Sequence, residues 1–195
     1  MPRLVARTPS PIDAVANPAS IRGSYERYGA DGFYEEIGKN YRNPHEPIVV
    51  RSLIDAMARW RPDVSHVLDL AAGSGEVTLA LKNLGAERID GIDPFTAEAY
   101  AARTGVLAEK FTFADIATGV LSGRRYSLIV CSFALHLCEK SRLPAVSQQL
   151  SLGGDSLLII TPHKRPLLQK QWGWKIMGEN VIDRVRSRYY LRNGE

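Results

Sequence analysis

The chain is predicted to fold as an α/β protein on a doubly wound, mainly parallel sheet of about seven strands with a helical N-terminal extension. Three observations carry that reading. Short apolar runs of strand length alternate with helix-length amphipathic segments between residues 66 and 162, the pattern of successive βαβ units. The first run passes directly into a glycine-rich turn, Asp69-Leu70-Ala71-Ala72-Gly73-Ser74-Gly75. Acidic residues, Asp93 and Asp115, then stand where the next two strands are expected to end.

The elements follow in order. Residues 1–20 hold four of the eleven prolines and show no periodicity, so they read as a flexible tail. Residues 21–195 read as a single domain, of which 21–45, rich in tyrosine, is a candidate lid. Ile48, Val49, Leu53, Ile54, Met57 and Trp60 form an apolar stripe at helical spacing. Strands are expected at 66–71, 88–93, 110–115, 126–133 and 155–162, with helices at 75–84, 96–103 and 141–152. Gly85 and Gly153-Gly154 end two of those helices. Segments 172–178 and 181–191 supply one or two further strands.

Composition excludes several classes. Hydrophobic residues are 45% and charged residues 24% of the 195, ordinary for a globular chain and unlike a disordered or disulfide-scaffold protein. No apolar run is long enough for a bilayer span. The two cysteines, Cys131 and Cys138, match no metal-ligand spacing and are expected to be reduced. An intracellular, cytoplasmic protein is therefore expected, with a mitochondrial address left open by Arg3 and Arg7. The net charge of +4 is uneven: residues 161–195 carry eight basic and three acidic side chains. That excess is either a solvated face or a contact for RNA or a protein partner. In 181–191, strand alternation sets Arg184, Arg186 and Arg188 on one face and Val185, Ser187 and Tyr189 on the other. Only RPLLQKQW is available to cover the arginine face, which is therefore expected to be thinly covered and to meet an anionic acceptor or a partner.

The glycine turn is the chemical centre. Glycines let a backbone turn tightly and approach a ligand, and the following helix offers free N–H groups. Asp93, 18 residues after Gly75, can accept hydrogen bonds from a ribose diol. Asp115 can accept from an adenine amino group while Ile116 packs on the ring. A nicotinamide-type fingerprint G-x-G-x-x-G is not met, because its third glycine falls on Thr78.

This constellation over residues 45–162 resembles the class I S-adenosylmethionine-dependent methyltransferases, whose first strand ends in an acidic residue and a loop written roughly G-x-G-x-G. The chain departs at Ala71, where the first glycine usually stands; an alanine serves if its φ stays negative. The resemblance implies S-adenosylmethionine as cofactor and roles by position. Gly73, Ser74 and Gly75 with Ala71 form the loop under the amino-acid portion. Asp69 orders that loop or meets the ammonium through water. Asp93 holds the ribose with Pro94 and Phe95 beside the adenine, Asp115 and Ile116 set the base, and Ser132 and Phe133 line the methionine side. Tyr34, Tyr41 and Arg42 are lid candidates, the alternative being aromatic packing on the sheet.

The acceptor is not encoded so directly. The segment after strand 126–133 lacks the Asn/Asp-Pro-Pro-Tyr/Phe turn of enzymes acting on exocyclic amines, the Pro-Cys pair of cytosine C5 enzymes and the Lys-Asp-Lys-Glu set of ribose 2′-O enzymes. It looks more like the broad small-molecule and tRNA-modifying branch. His136 and His163, past two strand ends, are the candidate catalytic residues, as a base titrating near neutral pH or as structural histidines. His45 is a third candidate, and His66 lies at the opposite edge. No metal site is expected. A small-molecule acceptor is favoured; the alternatives are RNA methylation through the basic C-terminal face, or a cofactor-binding regulatory or scaffold protein without catalysis.

Overall fold

A computed structural model describes residues 41–194. Six strands form one sheet in the order β2-β1-β3-β4-β6-β5. Strands β1 (Val67–Leu70), β2 (Ile89–Ile92), β3 (Tyr126–Ser132) and β4 (Gly154–Thr161) run parallel. The last two, β5 (Trp174–Ile182) and β6 (Val185–Arg192), form an antiparallel hairpin on the β4 side. Continuous apolar runs such as Leu128-Ile129-Val130-Cys131 make buried parallel strands because helices cover both faces.

One face packs against α1 (Glu46–Trp60) and α2 (Glu76–Asn83): Val49, Leu53, Val77 and Leu81 meet Val67, Leu128, Val130 and Leu158. The other packs against α4 (Phe113–Ala117) and α5 (Leu143–Gly153): Ile116, Val146 and Leu150 meet Leu68, Leu70, Ile129 and Leu157. Tyr100 of α3 (Ala97–Thr104) is buried with Ala72 and Ala97 beside the glycine loop.

The α/β architecture and its elements follow the sequence pattern, with two differences. Residues 110–115 do not form a strand: one bridge joins Glu109 to Ile92, and the chain then enters α4. Thr112 caps α4, accepting from Asp115 N, while Asp115 accepts from Thr112 N in return. This reciprocal capping box satisfies helix donors and wins over strand pairing. Second, 181–191 is two strands. Asp183 (φ 45°) and Arg184 (φ 68°) turn the chain between the paired Ile182 and Val185. A two-residue hairpin turn with both φ positive suits the strand twist, but Asp-Arg lacks the glycine that usually announces it. Arg184 therefore belongs to the turn and not to a row of strand arginines. Residues 1–40, including the expected tail, Tyr34 and most of the expected lid, lie outside the described residues. Among the described residues no helix is long and apolar enough to cross a membrane.

Candidate active site

The carboxyl ends of β1, β2, β3 and β4 open into one cavity of about 790 Å³, within the range of about 300–1,000 Å³ for small-ligand sites. One end is built by the loop after β1. Ala71, Gly73 and Gly75 adopt φ of 56°, 56° and 86°, so Ala71 is left-handed and not at the negative φ expected of it. Gly73 is a close-approach position: a Cβ there would lie 3.2 Å from Glu76 Oε2 and 3.3 Å from Tyr41 Cε1.

Asp93 holds the loop. Its Oδ2 accepts from Gly73 N at 3.0 Å, and its Oδ1 accepts from Phe95 N and Thr96 N, both at 2.9 Å. A carboxylate offers about four acceptor sites, so these three bonds leave room on Oδ2, and Asp93 lines the cavity. Thr96 Oγ1 donates to Gly73 O at 2.7 Å, closing the loop from the other side.

Asp69 is hydrogen-bonded to α2, the helix that follows the loop. It is fully buried, lies outside the cavity wall, and accepts at Oδ2 from Thr78 N (3.1 Å) and Thr78 Oγ1 (2.7 Å). Its Oδ1 has no partner among the described residues. Burial pushes its carboxyl up to about 8, with the Glu76 and Asp93 charges adding to the rise. Ser74 and Gly75 also support the loop from behind: Ser74 Oγ donates to Glu76 Oε1 at 2.6 Å. Arg103 of α3 donates to Ser74 O (3.1 Å) and to Glu46 Oε1 (2.6 Å), tying the first turn of α1 to the loop.

Ten of the expected cofactor residues line the cavity: Tyr41, Arg42, Ala71, Gly73, Asp93, Pro94, Phe95, Ile116, Ser132 and Phe133. Asp69, Ser74, Gly75 and Asp115 do not. Asp115 is the correction with most consequence for the base subsite. Its carboxylate accepts from Thr112 N (2.8 Å) and Thr112 Oγ1 (2.6 Å), which hold it below the usual carboxylate range. The wall there consists of Phe111, Thr112, Phe113, Ala114 and Ile116.

Sequence reasoning missed Glu76, a buried carboxylate in the cavity wall at the first position of α2. Burial raises its carboxyl. Its place directly after Gly-Ser-Gly was the available signal.

At the other end of the cavity, residues 27 positions apart converge. The His136 and His163 rings lie 4.2 Å apart, centroid to centroid, and both line the wall. His136 Nδ1 is buried without a partner among the described residues. Burial first, and His163 second, push His136 down to about 4, so it is neutral at pH 7. The expected base titrating near neutrality is thereby corrected to a neutral imidazole. His45, just before α1, stacks on Phe133 at 5.2 Å, with Phe133 at a φ of 54°. Burial lowers His45 as well. His66 is at the opposite edge, 3.1 Å from Asp90 Oδ2. Among the described residues no group of three or more His, Cys, Asp or Glu side chains could hold a metal ion.

The expected arginine face is not free. Arg188 is buried and ion-paired with Glu179 at 2.6 Å, Arg186 lies 3.9 Å from the same carboxylate, and Arg192 pairs with Asp155 at 3.0 Å.

Fold and cavity define a class: an α/β domain with a glycine-loop cavity at the carboxyl ends of its parallel strands. A methyltransferase-domain family model matches residues 67–152. The uncharacterized protein C17A5.05c of Schizosaccharomyces pombe is 31% identical, with 92% of this chain and 95% of that protein covered. Among solved structures, the PH0226 protein from Pyrococcus horikoshii is similar at a TM-score of 0.58 and 13% identity, covering 87% of this chain and 98% of that one. Magnesium protoporphyrin IX methyltransferase from Synechocystis, solved with bound S-adenosylmethionine, is similar at a TM-score of 0.51 and 18% identity, covering 96% and 99%. Residues 67–152 thus match a methyltransferase-domain family, and the chain has the fold of the class I S-adenosylmethionine-dependent methyltransferases.

Proposed function

We propose that the chain binds S-adenosylmethionine across the loop after β1 and transfers its methyl group to a small molecule bearing an O–H or N–H. The observation that carries this is one continuous cavity, with Gly73, Asp93 and Ile116 at one end and Phe133, His136 and His163 at the other. The residues fit the cofactor: Gly73 gives a cradle that a Cβ would crowd, Asp93 keeps acceptor capacity for a ribose hydroxyl, and Phe95 with Ile116 offers apolar walls to a base. Glu76 places carboxylate oxygens where an ammonium group is complementary. When bound, the cofactor supplies an electrophilic methyl on a sulfonium.

The protein's contribution is positioning, the main demand of an in-line displacement. Neutral His136, in the cavity wall beside His163, offers its imidazole as a hydrogen-bond partner to the acceptor's O–H or N–H. A group titrating near 4 accepts a hydrogen bond well and is a weak base. It therefore suits an acceptor that needs orientation more than prior deprotonation. Phe133 and His45 wall the acceptor side with stacked rings and help exclude water. The internal use of Arg188 favours a small acceptor over RNA.

Calorimetry with S-adenosylmethionine and S-adenosylhomocysteine tests the cofactor, with binding expected for both. Transfer from methyl-labelled cofactor to a panel of small hydroxyl and amine compounds, with RNA in parallel, tests the acceptor. No heat from either ligand overturns the reading. Labelling of RNA alone overturns the small-molecule assignment.

A further inference from the structure

β6 carries a buried cation outside the cofactor end of the cavity. Arg188 is 1% exposed. Its strand neighbours Ser187 and Tyr189 face α1, Ser187 Oγ donating to Ser52 O and Tyr189 stacking on Trp60, so Arg188 points to the opposite side of the sheet. Around Arg188 that side is covered by the strap 162–168, whose carbonyls at 163, 164 and 166 accept from it.

The Arg188 guanidinium is spent on that strap. Nε donates to Glu179 Oε2 at 2.6 Å, Nη1 to Pro166 O at 3.1 Å, and Nη2 to Lys164 O at 3.0 Å and His163 O at 3.4 Å. A rigid planar fork can satisfy several carbonyls of one turn at once, which a flexible ammonium cannot. Stability alone does not call for such a group, since apolar side chains of similar volume cover such a face as well or better. Its carbonyls belong to the segment that carries His163. The His163 amide is fixed as well, donating to Thr161 Oγ1 at 3.1 Å. Both ends of the residue are anchored, and its ring is left against His136.

We infer that Arg188 is a positioning residue for the methyl acceptor: neutralised by Glu179, it fixes the strap carbonyls of 163, 164 and 166 so that His163 stays packed on His136. The inference rests on reading that wall as the acceptor site, but the linkage itself is testable without an acceptor. Of the other charged side chains that line the cavity, Glu139 pairs with Arg142 at 3.3 Å and Arg51 with Asp183.

The test follows the imidazole resonances of the four histidines against pH in the full chain. H163A sets the reference: with the partner ring gone, the His136 midpoint rises from about 4 toward the ordinary histidine value, by about one pH unit or more. R188M keeps an apolar side chain of similar length and leaves Glu179 hydrated. It is expected to reproduce about half or more of that rise, with S-adenosylmethionine affinity held within about twofold, and no further rise in the R188M/H163A double variant. R188K, which keeps the charge but not the fork, gives the same reading should R188M not fold. A purely structural role lowers the melting temperature without moving His136. An unmoved His136 midpoint in a folded Arg188 variant that binds S-adenosylmethionine overturns the role of Arg188 alone. A wild-type chain that binds no S-adenosylmethionine, with the rise intact, overturns the methyl-transfer reading alone.

Discussion

Ala71 stands at a φ of 56°, where the Cβ of an L-residue crowds the next carbonyl at about 1–2 kcal/mol. The loop tolerates this because Gly73 and Gly75 on one side and the buried β1 on the other over-determine its path. Glycine removes the strain but returns part of the gain through a freer unfolded chain, about 0.4–1 kcal/mol. A71G is therefore expected to raise stability by roughly 0.5–1 kcal/mol. The check is a higher urea midpoint with an unchanged slope; a lower midpoint would show that the Cβ makes a contact worth more than the strain. Phe133 sits at a similar φ of 54° in the cavity wall, pinned by its stack on His45. Of the five non-glycine residues at positive φ among the described residues, Ala71, Phe133 and Asp183 fall in the cavity lining.

Among the elements, the β2–α3 contact shows how tightly the site is founded. Gly91 of β2 has no side chain because Tyr100 of α3 fills its place: a Cβ there would lie 2.5 Å from Tyr100 Cζ. The same Tyr100 hydroxyl lies 2.9 Å from Thr78 Oγ1, which donates to Asp69. G91A must push the ring out, and overpacking of this kind costs about 1–3 kcal/mol. It is expected to lower the denaturation midpoint accordingly and to weaken cofactor binding, since the displaced ring leaves Thr78 and Asp69 less supported. Calorimetry on the folded variant separates the two effects, and full stability in G91A would rule out the close packing. Capping decides α4 in the same way: Thr112 and Asp115 spend their side chains on each other's amides, which removes Asp115 from the cavity wall.

For the molecule as a whole, charge buried on folding sets the response to pH. Asp69 is raised from 3.8 to about 8 in the fold, so between those values the folded chain holds a proton that the unfolded chain has lost. Stability from this group falls as pH rises through that window. His136, lowered from 6.5 to about 4, acts with the opposite sign: between those values the unfolded chain holds the extra proton. The two nearly cancel below pH 6.5 and leave the Asp69 slope exposed above it. The melting temperature is expected to decline from pH 6.5 to 8, and D69N, whose amide oxygen can still accept from Thr78, is expected to flatten that decline. An equal slope in D69N would place the proton elsewhere.

How much was legible in advance follows from the range of the forces. Strand and helix periodicity, the glycine turn and Asp93 are local patterns, and each appears where it was expected because burial on a two-layered parallel sheet leaves few other placements. The β5–β6 hairpin hid because Asp183-Arg184 reaches positive φ without glycine, under the pull of strand pairing on both sides. The loss of the strand at 110–115 was hidden in the Thr112–Asp115 capping box, a local signal outweighed by an apolar alternation. By itself the sequence determined the α/β class, the glycine loop after the first strand and the residues of that loop, since all three are written in spacing along one chain. Only the tertiary structure decided that His136 meets His163, that Glu76 faces the cavity and that Arg188 is consumed inside the protein. These depend on which residues from distant strands share a desolvated volume, and neither burial nor the pairing of charges within it is a property of neighbouring residues in sequence.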